Sequence, residues 1–189
     1  AILGFVLVGF SSRAGANLLA NPSFEIGSGN AIDSWTQWDD ARIESWAALT
    51  GSNGVAFYGW SSGGGLYQDV AAEGISNYTL TAQGLKDSDF SSSYYVQMRL
   101  EFLDQDSTVI DFVQQVIYST DGWDLFTLSA PCPPKTTVIR CSMMFSGTPG
   151  SSGAFKWDDV SLISSPAGNS HTIHYASQSG SMVYPYTNW

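Results

Sequence analysis

The stretch Phe155-Lys156-Trp157-Asp158-Asp159-Val160-Ser161-Leu162-Ile163 decides the fold class. Phe155 and Trp157, then Val160 and Leu162 beyond an acidic pair, are apolar and partly alternate with polar residues, the pattern of a half-buried strand. Adjacent side chains of a strand point to opposite faces. One aspartate can therefore face solvent while the other is driven toward the sheet's edge or interior, where a carboxylate needs hydrogen-bond donors or a cation. A candidate co-ligand lies upstream in Asn21-Pro22-Ser23-Phe24-Glu25.

The same reading extends outward. Its clearest instance is 94–103, where Tyr94, Val96, Met98, Leu100 and Phe102 make one face and Tyr95, Gln97, Arg99, Glu101 and Leu103 the other. Residues 109–118 follow the acidic turn Asp104-Gln105-Asp106 as a hairpin or meander partner. Further strands are expected at 17–26, 55–60, 66–70, 77–83, 123–128 and 136–145, with Gly- and Ser-rich loops at 27–33 and 61–65. The segment holding Trp35, Trp38 and Trp46 reads as one short hairpin. Strands spaced this regularly, without any long helical periodicity, predict an all-β protein: two packed antiparallel sheets in one β-sandwich.

Composition narrows the function classes. The chain has 189 residues, enough to bury a substantial core, and 7 basic against 17 acidic residues give a formal charge of −10. Nucleic acid and anionic membranes are poor partners for that surface, because both need clustered Lys and Arg. Few charges with many hydroxyls, Trp and Tyr suit a secreted protein facing neutral sugars or its own copies. Two enzymatic motifs are missing: the sequence has no His-Glu-x-x-His pair and no phosphate-cradling glycine loop.

Asn-Leu-Leu-x-Asn-Pro-x-Phe-Glu (17–25) and Trp-Asp-Asp-Val-x-Leu (157–162), with Tyr78-Thr-Leu-Thr-Ala82, the strand 95–102 and Trp123-x-x-Phe126 between them, resemble secreted carbohydrate-binding modules of the jelly-roll kind. The likeness spans residues 17–163, roughly three quarters of the chain. The resemblance implies that the first and last strands are neighbours sharing a structural calcium (Ca2+), with Glu25 and Asp159 at the matching positions. It also implies a glycan-binding role. On the residues themselves, sugar sheets use aromatic faces against pyranose rings and amides or charged groups for the hydroxyls. Trp35, Trp38, Trp46, Tyr58 and Trp60 are candidates for the platform, with Tyr95, Gln97 and Arg99 on the polar face of the long strand. For each Trp a core position or a contact surface between subunits is the competing reading, and for Gln97 and Arg99 a solvated outer face. Asp104 and Asp106 suit a turn better than a metal site. His171 and His174 would point to opposite faces of a strand.

Both ends lie outside that frame, at 1–16 and 164–189. Residues 1–10 are apolar throughout, and a small-x-small pattern follows by Ala16, which together read as a secretory signal. Retained in the mature protein, Ile2, Leu3, Phe5, Val6, Leu7, Val8 and Phe10 would need burial, and a strand lent to a neighbouring subunit provides it. The C-terminal extension is also rich in large apolar groups. Cys132 and Cys141 suggest one disulfide closing a short loop, with two free thiols as the alternative. The expectation is a non-catalytic extracellular subunit that assembles with copies of itself through terminal strands. The alternative is a glycan-binding module that attaches to polysaccharide without assembling.

Overall fold

The computed structural model describes residues 15–74, 76–90, 95–150 and 152–167. In chain order the strands are β1 (Gly27–Ser28), β2 (Ala31–Ile32), β3 (Thr36–Asp39), β4 (Ala41–Glu44), β5 (Gly54–Tyr58), β6 (Gly63–Ala71), β7 (Ser76–Lys86), β8 (Tyr95–Leu103), β9 (Val109–Ile117), β10 (Asp124–Pro131), β11 (Val138–Ser146) and β12 (Ala154–Pro166). A 3-10 turn spans Ser45–Ala47. Apart from the minor hairpin β1–β2, the strands form two antiparallel five-stranded sheets, ordered β10-β7-β12-β5-β4 and β3-β6-β11-β8-β9. Among the described residues no helix is long and apolar enough to cross a membrane.

Period-two alternation builds the core. On β8, Val96, Met98, Leu100 and Phe102 are all buried, as are Ile139, Cys141, Met143 and Phe145 of the adjacent β11. The facing sheet supplies Phe57, Leu80, Phe155, Trp157 and Leu162, and Phe57 stacks on Phe145 with centroids 4.8 Å apart. Gly84 leaves room for Phe126 and Phe155, whose rings would stand 2.8–3.0 Å from a Cβ there.

β12 is the strand from which the architecture is set. It pairs with β7 along its length, and with β5 only through 154–157. The register then slips between Asp158 and Ser161, and Asp159 adopts a left-handed φ of 47°. Beyond this bulge the N-terminal segment takes the vacated edge: Leu18 N–H donates to the Leu162 carbonyl and Val160 N–H to that of Pro22. Asn17 extends the ladder with its side chain, donating to the Val160 carbonyl and accepting from Leu162 N–H. The segment 17–26, expected as a strand, therefore runs beside β12 without being a regular strand. Asn21 closes its turn by accepting from Ile26 N–H and donating to the Ile26 and Asp33 carbonyls.

Two other expectations need correcting. The Trp35–Trp46 segment is not a hairpin, because β3 and β4 belong to different sheets, joined by a turn with Asp39 at φ 54°. Cys132 and Cys141 are free thiols. β10 and β11 lie in different sheets, and Cys141 sits well inside β11 facing the core, whereas Cys132 marks the end of the β10 segment. Burial pushes the Cys141 thiol up, which keeps it protonated and inert.

Candidate functional site

Strand register on the β3-β6-β11-β8-β9 sheet lines up three rows of side chains on its outer face. One row runs Trp38, Gly65, Met144, Gln97, Val116; the next Thr36, Tyr67, Ser142, Arg99, Gln114; the third Asp69, Arg140, Glu101, Phe112. These positions alternate with the core residues of the same strands, so the outward set is a direct consequence of the pleat.

Glycine seats the first ring. A Cβ on Gly65 would lie 2.5 Å from the Trp38 ring, so the indole rests directly on the sheet, 37% exposed and 6.3 Å from Tyr67. Arg140 lies 4.1 Å over Tyr67 and binds Asp69 through two hydrogen bonds of 2.7 and 2.8 Å. Arg99 lies 3.8 Å over Phe112 and pairs with Glu101 at 3.0 Å. Gln97, almost wholly covered, donates to Gln114. Planar guanidinium groups stacked on rings hold this layer in one arrangement. In its middle, Arg99 Nε and Ser142 Oγ have no protein partner. An open depression of about 390 Å3 lies at one end, lined by Trp38, Gly63, Gly64, Tyr95, Met144 and Ser146 among others.

The outer face of the other sheet carries a second aromatic group. Tyr58 is 7% exposed, stacked on Trp60 at 3.9 Å and edge-on to Trp46 at 5.8 Å. Its hydroxyl donates to Glu44, and burial with that carboxylate pushes the phenol up. The platform expected from sequence is thus divided. Trp38, Tyr95, Gln97 and Arg99 share one face; Tyr58 and Trp60, with Trp46, belong to the other sheet. Trp35 leaves the set: it is buried in the core, 5.3 Å from Phe24, and its Nε1–H donates to the Asn21 carbonyl.

Glu25 and Asp159 meet at the loop 49–53. Glu25 accepts from Ser52 and Asn53 N–H, in a space that exists because Gly51 has no Cβ. Asp159 accepts from the Thr50 hydroxyl. Asp158 is fully buried and accepts from Leu49, Thr50 and Asp159 N–H. Burial raises its carboxyl above the usual range, against the lowering effect of those N–H groups. Calcium takes six to eight oxygens, several of them carboxylate or carbonyl. Here Glu25 and Asp158 accept backbone N–H groups and Asp159 the Thr50 hydroxyl, and among the described residues no three His, Cys, Asp or Glu gather into a metal site. The fit to a calcium ion is poor, and hydrogen bonds tie the first segment, the loop and β12 together.

Sequence reasoning missed Tyr67, Ser142, Gln114 and Phe112. Each is an alternate residue of its strand, but only the pairing of β6, β11 and β9 with β8 puts them on one face. The apolar residues at 2–10, and His171 and His174, lie outside the described residues.

No protein-family model matches the chain, and no curated protein matches it in sequence. Solved structures do match in fold. The enzymatically active domain of bacteriophage CBA120 tailspike protein 4 superposes with a TM-score of 0.63 at 15% identity, over 79% of this chain and 21% of that one. This chain therefore spans about a fifth of that tailspike domain. A family 16 carbohydrate-binding module gives 0.61 at 22% identity, over 78% of this chain and 99% of the module. TmCBM61, solved in complex with beta-1,4-galactotriose, gives 0.58 at 18% identity, over 79% and 99%. Together with the sheet topology, these matches identify the architecture: the chain has the jelly-roll β-sandwich fold of carbohydrate-binding modules.

Proposed function

We propose that the protein is a non-catalytic glycan-binding module, working outside the cell, whose binding face is the outer surface of the β3-β6-β11-β8-β9 sheet. One observation carries this reading: the aromatic rings of Trp38, Tyr67 and Phe112 share that face with Gln97, Gln114, Arg99 and Ser142. A pyranose ring has an apolar C–H side and a rim of hydroxyls, and this mixture answers both. Trp38 beside the 390 Å3 depression is the natural stacking position. The likeness in fold to carbohydrate-binding modules favours this reading over self-assembly through terminal strands.

Affinity electrophoresis in gels containing β-1,4-galactan, xylan or glucomannan tests it. Wild type should be retarded in at least one gel, with Trp38→Ala weakening binding by about tenfold, as for a central aromatic contact. Free migration of the intact protein in every gel would sink the proposal.

A further inference from the structure

Resting on the glycan-binding reading, we propose that Trp46 and Trp60 form a second polysaccharide-binding site on the opposite sheet, so that one molecule bridges two glycan chains. The rings are exposed yet held in place. Trp46 is 47% and Trp60 51% exposed, whereas Tyr58 between them is buried and fixed by its hydrogen bond to Glu44. Trp60 lies nearly parallel to Tyr58, at 23°, and Trp46 stands at 66° to it, so the two outer rings present steeply inclined faces.

The support beneath them is built for this purpose. Trp46 sits on the 3-10 turn Ser45–Ala47, and Ala47 packs with Ala56, Tyr58 and Ala154 in a small cluster separate from the main core. The turn approaches β5 so closely that a Cβ on Gly54 would fall 2.1 Å from the Ala47 carbonyl oxygen. Such preorganisation spares a ligand the entropy of ordering the rings.

The surroundings select a neutral, hydroxyl-bearing ligand. Arg42 is paired with Asp40 at 2.8 Å and Lys156 with Asp87 at 2.8 Å, so both cations already have partners. Lys156 also stands 5.3 Å from the Trp46 ring and Arg42 5.6 Å from Tyr58, which places polar groups around the aromatic faces. Among the described residues, the cations beside these rings, Arg42 and Lys156, are both paired, which disfavours a polyanion. A peptide adding as a strand meets β5 as an interior strand, paired with β12 through Tyr58 and with β4 up to Phe57. Stacked rings bordered by fixed polar groups remain, the requirement of a sugar ring.

The test uses the full chain and whichever of β-1,4-galactan, xylan and glucomannan retards it. Trp38→Ala should keep a residual retardation, Trp60→Ala should weaken binding by about tenfold, and the Trp46→Ala/Trp60→Ala double variant should bind through the first face alone. Thermal unfolding checks that each variant is folded, and both tryptophans are exposed enough to be replaced without loss of core. Wild type should also aggregate the soluble polysaccharide, as measured by turbidity, whereas either single-face variant should not. If Trp60→Ala and the double variant migrate and bridge like wild type, the second site is overturned and the surface belongs to a protein partner or to none, with the first face untouched. If wild type is not retarded in any gel, the glycan-binding reading itself fails and takes this site with it.

Discussion

The two outer faces of the sandwich carry aromatic residues in different ways. On the β3-β6-β11-β8-β9 sheet the rings come from strand positions and are spread across the sheet, interleaved with Arg99, Arg140 and their acidic partners. On the other sheet they are gathered at one place, from a 3-10 turn, the end of β5 and the turn after it. The first arrangement is imposed by pleat and register. The second depends on a single close approach between a turn and a strand. A face of the first kind tolerates local change, and a face of the second kind can be removed at one residue.

Both faces are seated by glycine, which makes the comparison easy to break. Gly54→Ala places a methyl 2.1 Å from backbone oxygen of Ala47, and neither can yield without moving the turn. The expected loss is about 3 kcal/mol in denaturant unfolding, with disruption of the Trp46 site and retention of Trp38-dependent binding. An unchanged midpoint would mean that the turn is not seated there. Gly65→Ala meets the Trp38 ring at 2.5 Å and the Met143 carbonyl at 2.5 Å. The indole can lift away but the backbone carbonyl cannot, so a cost of about 2–3 kcal/mol is expected, with weakened binding on this face only. Equal losses on both faces after either change would show that the faces are not independent.

Two smaller effects concern the junction behind both faces. Asp158 is buried with its carboxyl held above the unfolded value near 3.9, chiefly by desolvation. Between the unfolded and native values the native state binds a proton that the unfolded chain has released, so this group's contribution to stability falls as pH rises through that window. Asp158→Asn removes the titration but also one of the acceptor oxygens used by Leu49, Thr50 and Asp159. A net change of about 1 kcal/mol at neutral pH is expected, and the wild-type advantage over the variant should shrink as pH is raised from about 4. An advantage that grows instead would mean that the N–H donors outweigh desolvation. The smallest effect is expected from chelation: EDTA should leave the thermal midpoint unchanged, because Glu25 and Asp159 are held by Ser52, Asn53 and Thr50. A clear drop, reversed by calcium, would restore the metal reading.

By itself the sequence determined the class, the sandwich and the longer strands from β7 to β12, because a period of two is a local property that burial enforces residue by residue. The face of β8 bearing Val96, Met98, Leu100 and Phe102 was legible in this way, and so was the neighbourhood of Asn17 and β12 through the family-like motifs. Tertiary structure alone decided which sheet each aromatic belongs to. Trp35, Trp38 and Trp46 lie close in sequence, yet the left-handed turn at Asp39 sends β3 and β4 into different sheets, leaving Trp35 in the core and the other two on separate faces. Tertiary structure likewise gave the buried role to Asp158 rather than Asp159, since a one-residue bulge resets the alternation at the acidic pair. It also left the cysteines unpaired, and spacing along the chain does not say into which sheet each strand goes. Alternation is written locally; sheet membership is a long-range choice made by pairing.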